Sequence, residues 1–138
     1  MNIRYSILIA VLLSCSAALA HHSVVGAFDT ETFVTFEVEV LAFQLINPHP
    51  FMIAKRTDGS DELLTLDMDN TREITELNIA PDTFLPGDEL LVTALPSRTS
   101  STTFYVTAVG HPRLGFRYET VVRGESKLIC DGSGPCLD

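Results

Sequence analysis

Basic residues are scarce: 9 Lys and Arg stand against 18 Asp and Glu, a net charge of −9. Such a chain repels phosphate backbones, which argues against nucleic acid as a partner. It is equally ill suited to docking on anionic lipid. No apolar run is long enough to span a bilayer, since the longest, Ile7 to Leu13, falls far short of the ~20 residues a transmembrane helix needs. Internal repeats, low-complexity tracts and a domain-splitting linker are absent, as are a glycine-rich phosphate loop and a zinc-protease spacing of the H-E-x-x-H kind. Cysteine is limited to three residues and histidine to four.

What is present begins with a three-part leader. Arg4 supplies a positive charge, "ILIAVLL" an apolar stretch, and "SCSAALA" a run of small residues ending in Ala18-x-Ala20. That is the grammar of a secretory signal peptide, and it predicts residues 1–20 as a leader cut after Ala20, with 21–138 as one mature domain. A rival pattern, Leu12-Leu13-Ser14-Cys15, loosely resembles a lipobox and would leave a lipid-anchored protein cut at Cys15. Either route places the protein in the periplasm or outside the cell. With Arg4 gone, 8 basic residues would face 18 acidic ones, a net charge of −10. Cys130 and Cys136 remain, separated by the turn-forming Asp-Gly-Ser-Gly-Pro, and an oxidising compartment makes a disulfide their default state.

From Phe33 the chain alternates apolar and polar residues, the period of a half-buried strand. Fourteen residues of "FVTFEVEVLAFQLI" are long for one strand, so a bend or bulge is expected near Ala42 to Gln44. "NPHP" breaks it. "FMIAKR" and "LLTLDM" read as a hairpin turning at Asp58-Gly59. Asn70 and Glu73, at capping-box spacing, open a helix over 71–78 that ends before Pro81. "ELLVTAL" and "TTFYVTAV" give two more strands, and "GFRYETVV" a sixth. The order β-β-β-α-β-β is that of an OB-type barrel, so an all-β fold with one short helix and a small antiparallel OB-like barrel is expected. Residues 21–32 read as an irregular lead-in, which would bring its histidines to "NPHP" by running back along the first strand.

Chemistry concentrates on histidine. Cleavage after Ala20 would make His21 residue one, where its ring nitrogen and the new α-amine can grip one metal ion. Copper(II) favours such nitrogen-rich tetragonal sets. The arrangement resembles the histidine brace of copper-dependent exported proteins. His22 and His49 are candidates for the remaining nitrogen, with His111 more distant, while Asn47 and Ser23 would position the ligands. The alternative is a metal-free barrel binding a peptide, a glycan or an envelope protein by the same rim. An enzyme is the weakest reading. Ser23 beside His22 would point to opposite faces of a strand. Asp67 and Asp69 read as sharing a strand face, as paired carboxylates of a glycosidase or calcium site would, yet they sit at a helix start, where acids ordinarily act as caps and dipole partners.

"AHHSVVGAFD", the later "NPHP", "LTLDM" and "LPGDELLVTALPSR" together resemble a family of short exported bacterial proteins of unknown function. Its members begin His-His-Ser after the signal and keep Asn-Pro-His after a first strand. The resemblance runs from His21 to about Val109 and implies roles for His21, His22, Ser23, Asn47, Pro48 and His49, without supplying an activity. The present chain differs in lacking tryptophan, in having Asp67 where glutamate is more usual, and in its cysteine-bearing tail.

Protein recovered from the periplasm of an expressing bacterium should therefore start at His21. Intact mass and N-terminal sequencing check this; a mass retaining residues 1–20, or a lipid-modified Cys15, would refute it.

Overall fold

The computed structural model describes residues 24–122 and 125–137. Its elements are α1 (Val24–Ala27), β1 (Val34–Gln44), β2 (Phe51–Arg56), β3 (Leu63–Asp67), α2 (Thr71–Glu76), β4 (Glu89–Pro96), β5 (Thr103–His111), β6 (Phe116–Glu119) and β7 (Lys127–Cys130). The five central strands close into an OB-like barrel in the order β1-β2-β3-β5-β4-β1. All but one of these pairings are antiparallel. The exception seals the barrel: β3 and β5 run parallel, with Thr65, Leu66 and Asp67 opposite Thr103, Phe104 and Tyr105. A fully antiparallel barrel does not form, because the crossover through α2 and β4 returns the chain with β5 pointing the same way as β3. β6 and β7 extend the sheet beyond β5 as a hairpin.

Alternation places Phe36, Val38 and Val40 of β1 in the core. The bulge falls at Leu41, slightly earlier than expected: Val40 pairs with Ala54 and Ala42 with Ile53, leaving Leu41 as the extra residue. One inserted residue reverses the inside-outside phase, so that Phe43 rather than Ala42 is buried next. The bulge frees backbone groups that the Leu85-Pro86-Gly87-Asp88 turn takes up. Gly87 N–H donates to the Val40 carbonyl at 2.8 Å, and Val40 N–H donates to the Asp88 carbonyl at 2.8 Å. Gly87 sits at φ 90°, where a side chain would be strained, and Pro86 before it pre-sets the turn.

Asp88 fixes this corner. Its carboxylate accepts the Leu85 N–H at 2.8 Å, Arg113 Nε at 2.8 Å, Arg113 Nη2 at 2.9 Å and His111 Nε2–H at 3.2 Å. Arg113 holds its carboxyl below the usual carboxylate range, against the opposing effect of burial. The His111 ring is fully buried, stacked on Phe84 at 5.7 Å and tilted against Phe116 at 5.3 Å. Burial holds its proton affinity below the ordinary histidine range, although Asp88 pulls the other way.

α2 is shorter than its sequence pattern suggests, and its cap differs in detail. The Glu73 N–H donates to Asn70 Oδ1 at 3.0 Å, as in a capping box. Glu73 answers through the Asn70 side-chain amide at 2.8 Å, because the Asn70 backbone N–H is taken by Asp69. Two elements were not foreseen: α1, within the stretch read as irregular, and β7. Cys130 and Cys136 are joined in a disulfide across a six-residue separation. Its loop packs on the β5–β6 turn, where Cys136 N–H donates to the Leu114 carbonyl at 2.7 Å.

The buried His111–Asp88 pair sets a direction for acid stability. Unfolded histidine takes its proton near pH 6.5, whereas folded His111 resists it, so stability is lost as pH falls below about 6.5. Asp88, with a lowered folded value, contributes stability above about pH 3.9 that is lost on further acidification. The melting temperature should fall between pH 7.5 and 5. His111→Gln should flatten that decline while leaving the later drop below pH 4 in place; an unchanged slope from pH 7.5 to 5 would exclude His111 as its source.

Candidate functional site

A cavity of about 390 Å³ lies on the outer face of the barrel, over the β3–β5 seam. Alternation in β3 sends Leu64 and Leu66 inward and leaves Thr65 and Asp67 half-buried on the other face. Tyr105 of β5 is directed to that same outer side, where it forms a second apolar cluster with Phe28 and Leu95, backed by Val24 and Ala27. The Phe28 and Tyr105 ring centroids are 5.5 Å apart. Ser97, Thr99, Ser100 and Thr103 add hydroxyl-bearing walls.

The lead-in builds one side of this cavity. Phe28 N–H closes α1 on the Val24 carbonyl at 2.8 Å. Phe28 then bridges Ser97, with Asp29 N–H donating to the Pro96 carbonyl and Arg98 N–H to the Ala27 carbonyl, each at 2.9 Å. The lead-in therefore attaches to the end of β4. It does not run back along β1, the route that sequence geometry suggested, yet it reaches the "NPHP" end all the same.

His49 stands on the opposite side. Its loop, which contains a cis Asn47-Pro48 bond, is tied down on both flanks. Thr71, the first residue of α2, donates its N–H to the Pro48 carbonyl at 3.2 Å and its hydroxyl to the Ile46 carbonyl at 2.8 Å. Met68 N–H donates to the Pro50 carbonyl at 2.9 Å. Pro50 is buried, while Asn47 and His49 are exposed. The start of α2 and the end of β3 thus hold His49 over Asp67.

Burial raises the proton affinity of Asp67, and the nearby His49 partly offsets it. No hydrogen bond from the described residues contributes to that balance. Asp69, two residues on, behaves differently. Its carboxylate accepts the Asn70 N–H at 2.7 Å, the Thr120 hydroxyl at 2.9 Å and the Ser126 hydroxyl at 3.1 Å, the structural role expected of an acid at a helix start. The two aspartates do not share a face, because β3 ends at Asp67 and the chain turns before Asp69. A larger groove, about 530 Å³, lies beside α2 near Glu73 and Ser126. Its polar groups bond largely to one another, Asn70 donating its side-chain N–H to Glu73 at 2.8 Å and Arg72 Nε–H to Glu76 at 2.8 Å, and it contains neither His49 nor Asp67.

His21, His22 and Ser23 lie outside the described residues. His111, considered as a distant nitrogen donor, is sealed between Phe84 and Phe116 and committed to Asp88. Among the described residues, no group of three His, Cys, Asp or Glu side chains is placed to hold a metal ion. Asp67, which the sequence reading sets aside as a helix-start acid, lines the cavity instead. Its signal was the alternation of "LLTLDM", which already put it on the face opposite Leu64 and Leu66.

Fold and site define a small OB-like barrel that carries a part-apolar, part-polar cavity on its outer face. The chain belongs to a family of unknown function (DUF6152), which matches residues 10–105. Neither the curated proteins nor the solved structures contain a match. Among the described residues, no helix is long and apolar enough to cross a membrane.

Phe28 is the apolar anchor of the lead-in, being only 8% exposed. Phe28→Ala should cost about 3 kcal/mol, within the range for losing a buried aromatic side chain. Denaturant unfolding measures the cost. Hydrogen exchange should locate it, with protection lost first at the Asp29 and Arg98 amides; unchanged protection there would show that Phe28 does not hold the lead-in.

Proposed function

We propose that this is an exported barrel protein that binds a transition-metal ion, copper(II) foremost, at the cavity over the β3–β5 seam. His21, through its ring and the α-amine freed by cleavage, would supply two nitrogens, and His22 and His49 further ones. Ser23 and Asn47 would orient the two segments. The supporting observation is the seating of Val24 on the same cavity as His49. Two trans peptide steps, spanning at most about 7 Å between Cα atoms, connect Val24 to His22. Donors just upstream of Val24 would then approach the cavity from the side opposite the His49 loop.

The chemistry is favourable at neutral pH. An ordinary imidazole, with a pKa near 6.5, and an α-amine, with a pKa of ~7.7–8.0, both present ligating nitrogen without a large protonation cost. An exposed His49 can turn to meet an ion. The matched family range, 10–105, spans both His21–Ser23 and Asn47–His49.

A metal-free reading draws on the same cavity. Its Phe28–Tyr105 floor and hydroxyl walls suit a short peptide, a glycan or a segment of an envelope protein. Copper(II) titration separates the two. Protein recovered after export should bind tightly, and a version carrying one extra residue ahead of His21 should bind at least about tenfold more weakly, as should His49→Ala. Equal affinities in all three would rule out the chelating terminus and leave the metal-free reading.

A further inference from the structure

We infer that the Cys130–Cys136 loop is a redox-operated clamp on the β5–β6 turn. In the disulfide form it holds that turn and, through Arg113, the Asp88 corner. Reduced by a dithiol, it lets both loosen while the barrel stays closed. The clamp is independent of the metal reading above.

Its seat is built backbone against backbone. Gly115 stands in the turn at φ 68°, and a Cβ there would collide with the Gly134 backbone. A Cβ on Gly134 would lie 2.6 Å from the Leu114 carbonyl carbon. Glycine on both sides permits this approach; any other residue blocks it. Cys136 N–H donates to the Leu114 carbonyl at 2.7 Å, and Asp131 N–H to the Gly115 carbonyl at 3.0 Å. Asp131 also accepts the Ser133 N–H at 2.8 Å and its hydroxyl at 2.6 Å, which shapes the loop locally. The disulfide joins the two ends of this loop, so it confines both donors at once. Cys136 and Leu137 add side-chain packing against the core beside Leu114.

The turn passes that hold on. Leu114 directly follows Arg113, whose guanidinium donates to Asp88 at 2.8 and 2.9 Å. Asp88 in turn accepts the Leu85 N–H at 2.8 Å. Short contacts thus link the disulfide to the turn that supports the β1 bulge. Closure of the barrel lies elsewhere, in the β3–β5 pairing, in which β6, β7 and the tail take no part.

The bond is also placed for exchange. Cys130 is exposed and Cys136 half-buried, and exposed disulfides are more readily reduced than buried ones. One thiolate of a dithiol attacks Cys130 Sγ, the Cys130–Cys136 bond breaks, and the Cys136 thiolate leaves. The second thiolate then attacks the dithiol's own sulfur in the mixed disulfide, which frees the Cys130 thiolate and closes the dithiol into a disulfide. Two electrons pass to the protein, and the two cysteine sulfurs take up the two protons that the dithiol gave up. An oxidised dithiol reverses the same steps.

The test compares amide hydrogen exchange in the full chain recovered after export, before and after treatment with dithiothreitol, with a thiol count confirming reduction. Asp131 and Cys136 report the clamp, Leu85 the Asp88 corner, and Thr65, bonded to the Thr102 carbonyl, the barrel seam. Reduction should speed exchange about tenfold or more at Asp131 and Cys136 and about threefold or more at Leu85, with less than about twofold change at Thr65. Reoxidation should restore all of these. Gly134→Ala, which keeps the disulfide but spoils the seat, should speed Cys136 and Leu85 without a reductant. A bond that dithiothreitol leaves intact in the folded protein would overturn the clamp, as would unchanged exchange at Asp131 and Cys136 once it is reduced. Tail amides freed with Leu85 unchanged would show that the hold stops at the turn. Thr65 speeding up as much as Cys136 would make the disulfide a staple of the whole fold.

Discussion

The parallel contact between β3 and β5 is the constraint on which the rest of this structure depends. It is short, three residue pairs from Thr65–Thr103 to Asp67–Tyr105, with Thr65 N–H reaching the Thr102 carbonyl at 2.9 Å. Without it, β3 and β5 would each present an open edge of unpaired backbone. Closing the circle also imposes a demand at the far side. β1 must pair with β2 along one half and with β4 along the other, and a flat strand cannot do both. The Leu41 bulge supplies the bend, and the Gly87–Asp88 turn satisfies the backbone groups that the bend exposes. Asp88, with Arg113 and His111, then ties that turn to the β5–β6 hairpin. The charge cluster is therefore part of the barrel's closure and takes no part in lining the cavity.

The site follows from the same contact. The seam places Asp67 and Tyr105 side by side on the outer face, where a simple barrel would show solvent. Phe28 and α1 cover part of that face because Tyr105 and Leu95 offer an apolar surface there. The His49 loop covers the rest because Thr71 and Met68 hold its carbonyls. A cavity between two short coverings, with one imidazole and one carboxylate facing it, is the outcome. Nothing in it requires a long-range conformational change, since each wall is fixed by backbone hydrogen bonds.

Much of this was legible in the residues. Alternation in "FVTFEVEV", "FMIAKR" and "LLTLDM" located three strands closely, because side chains buried on one face must recur every second residue. Asn70 with Glu73 announced α2, and the spacing of Cys130 and Cys136 their disulfide. The bulge was announced by the lapse in alternation, but its position was not, since Leu41 and Ala42 are both apolar and either could take the extra place. α1 escaped notice because four residues, "VVGA", carry no helical periodicity and are held by tertiary contacts with Phe28 and β4. β7 escaped because "KLIC" is only four residues long and mostly exposed, so it has no buried alternation to betray a strand.

The sequence by itself determined the first six strands, the breaks between them, the order that admits an OB-like barrel, and the two short histidine motifs. These are local properties, carried by periodicity, turn chemistry and capping within a few residues. The tertiary structure alone decided that β3 and β5 meet in parallel, that His111 belongs to the core while His49 faces a cavity, and that Asp67 and Asp69 part company. Those outcomes depend on which face of one strand opposes another some forty residues away, and no local pattern encodes that distance.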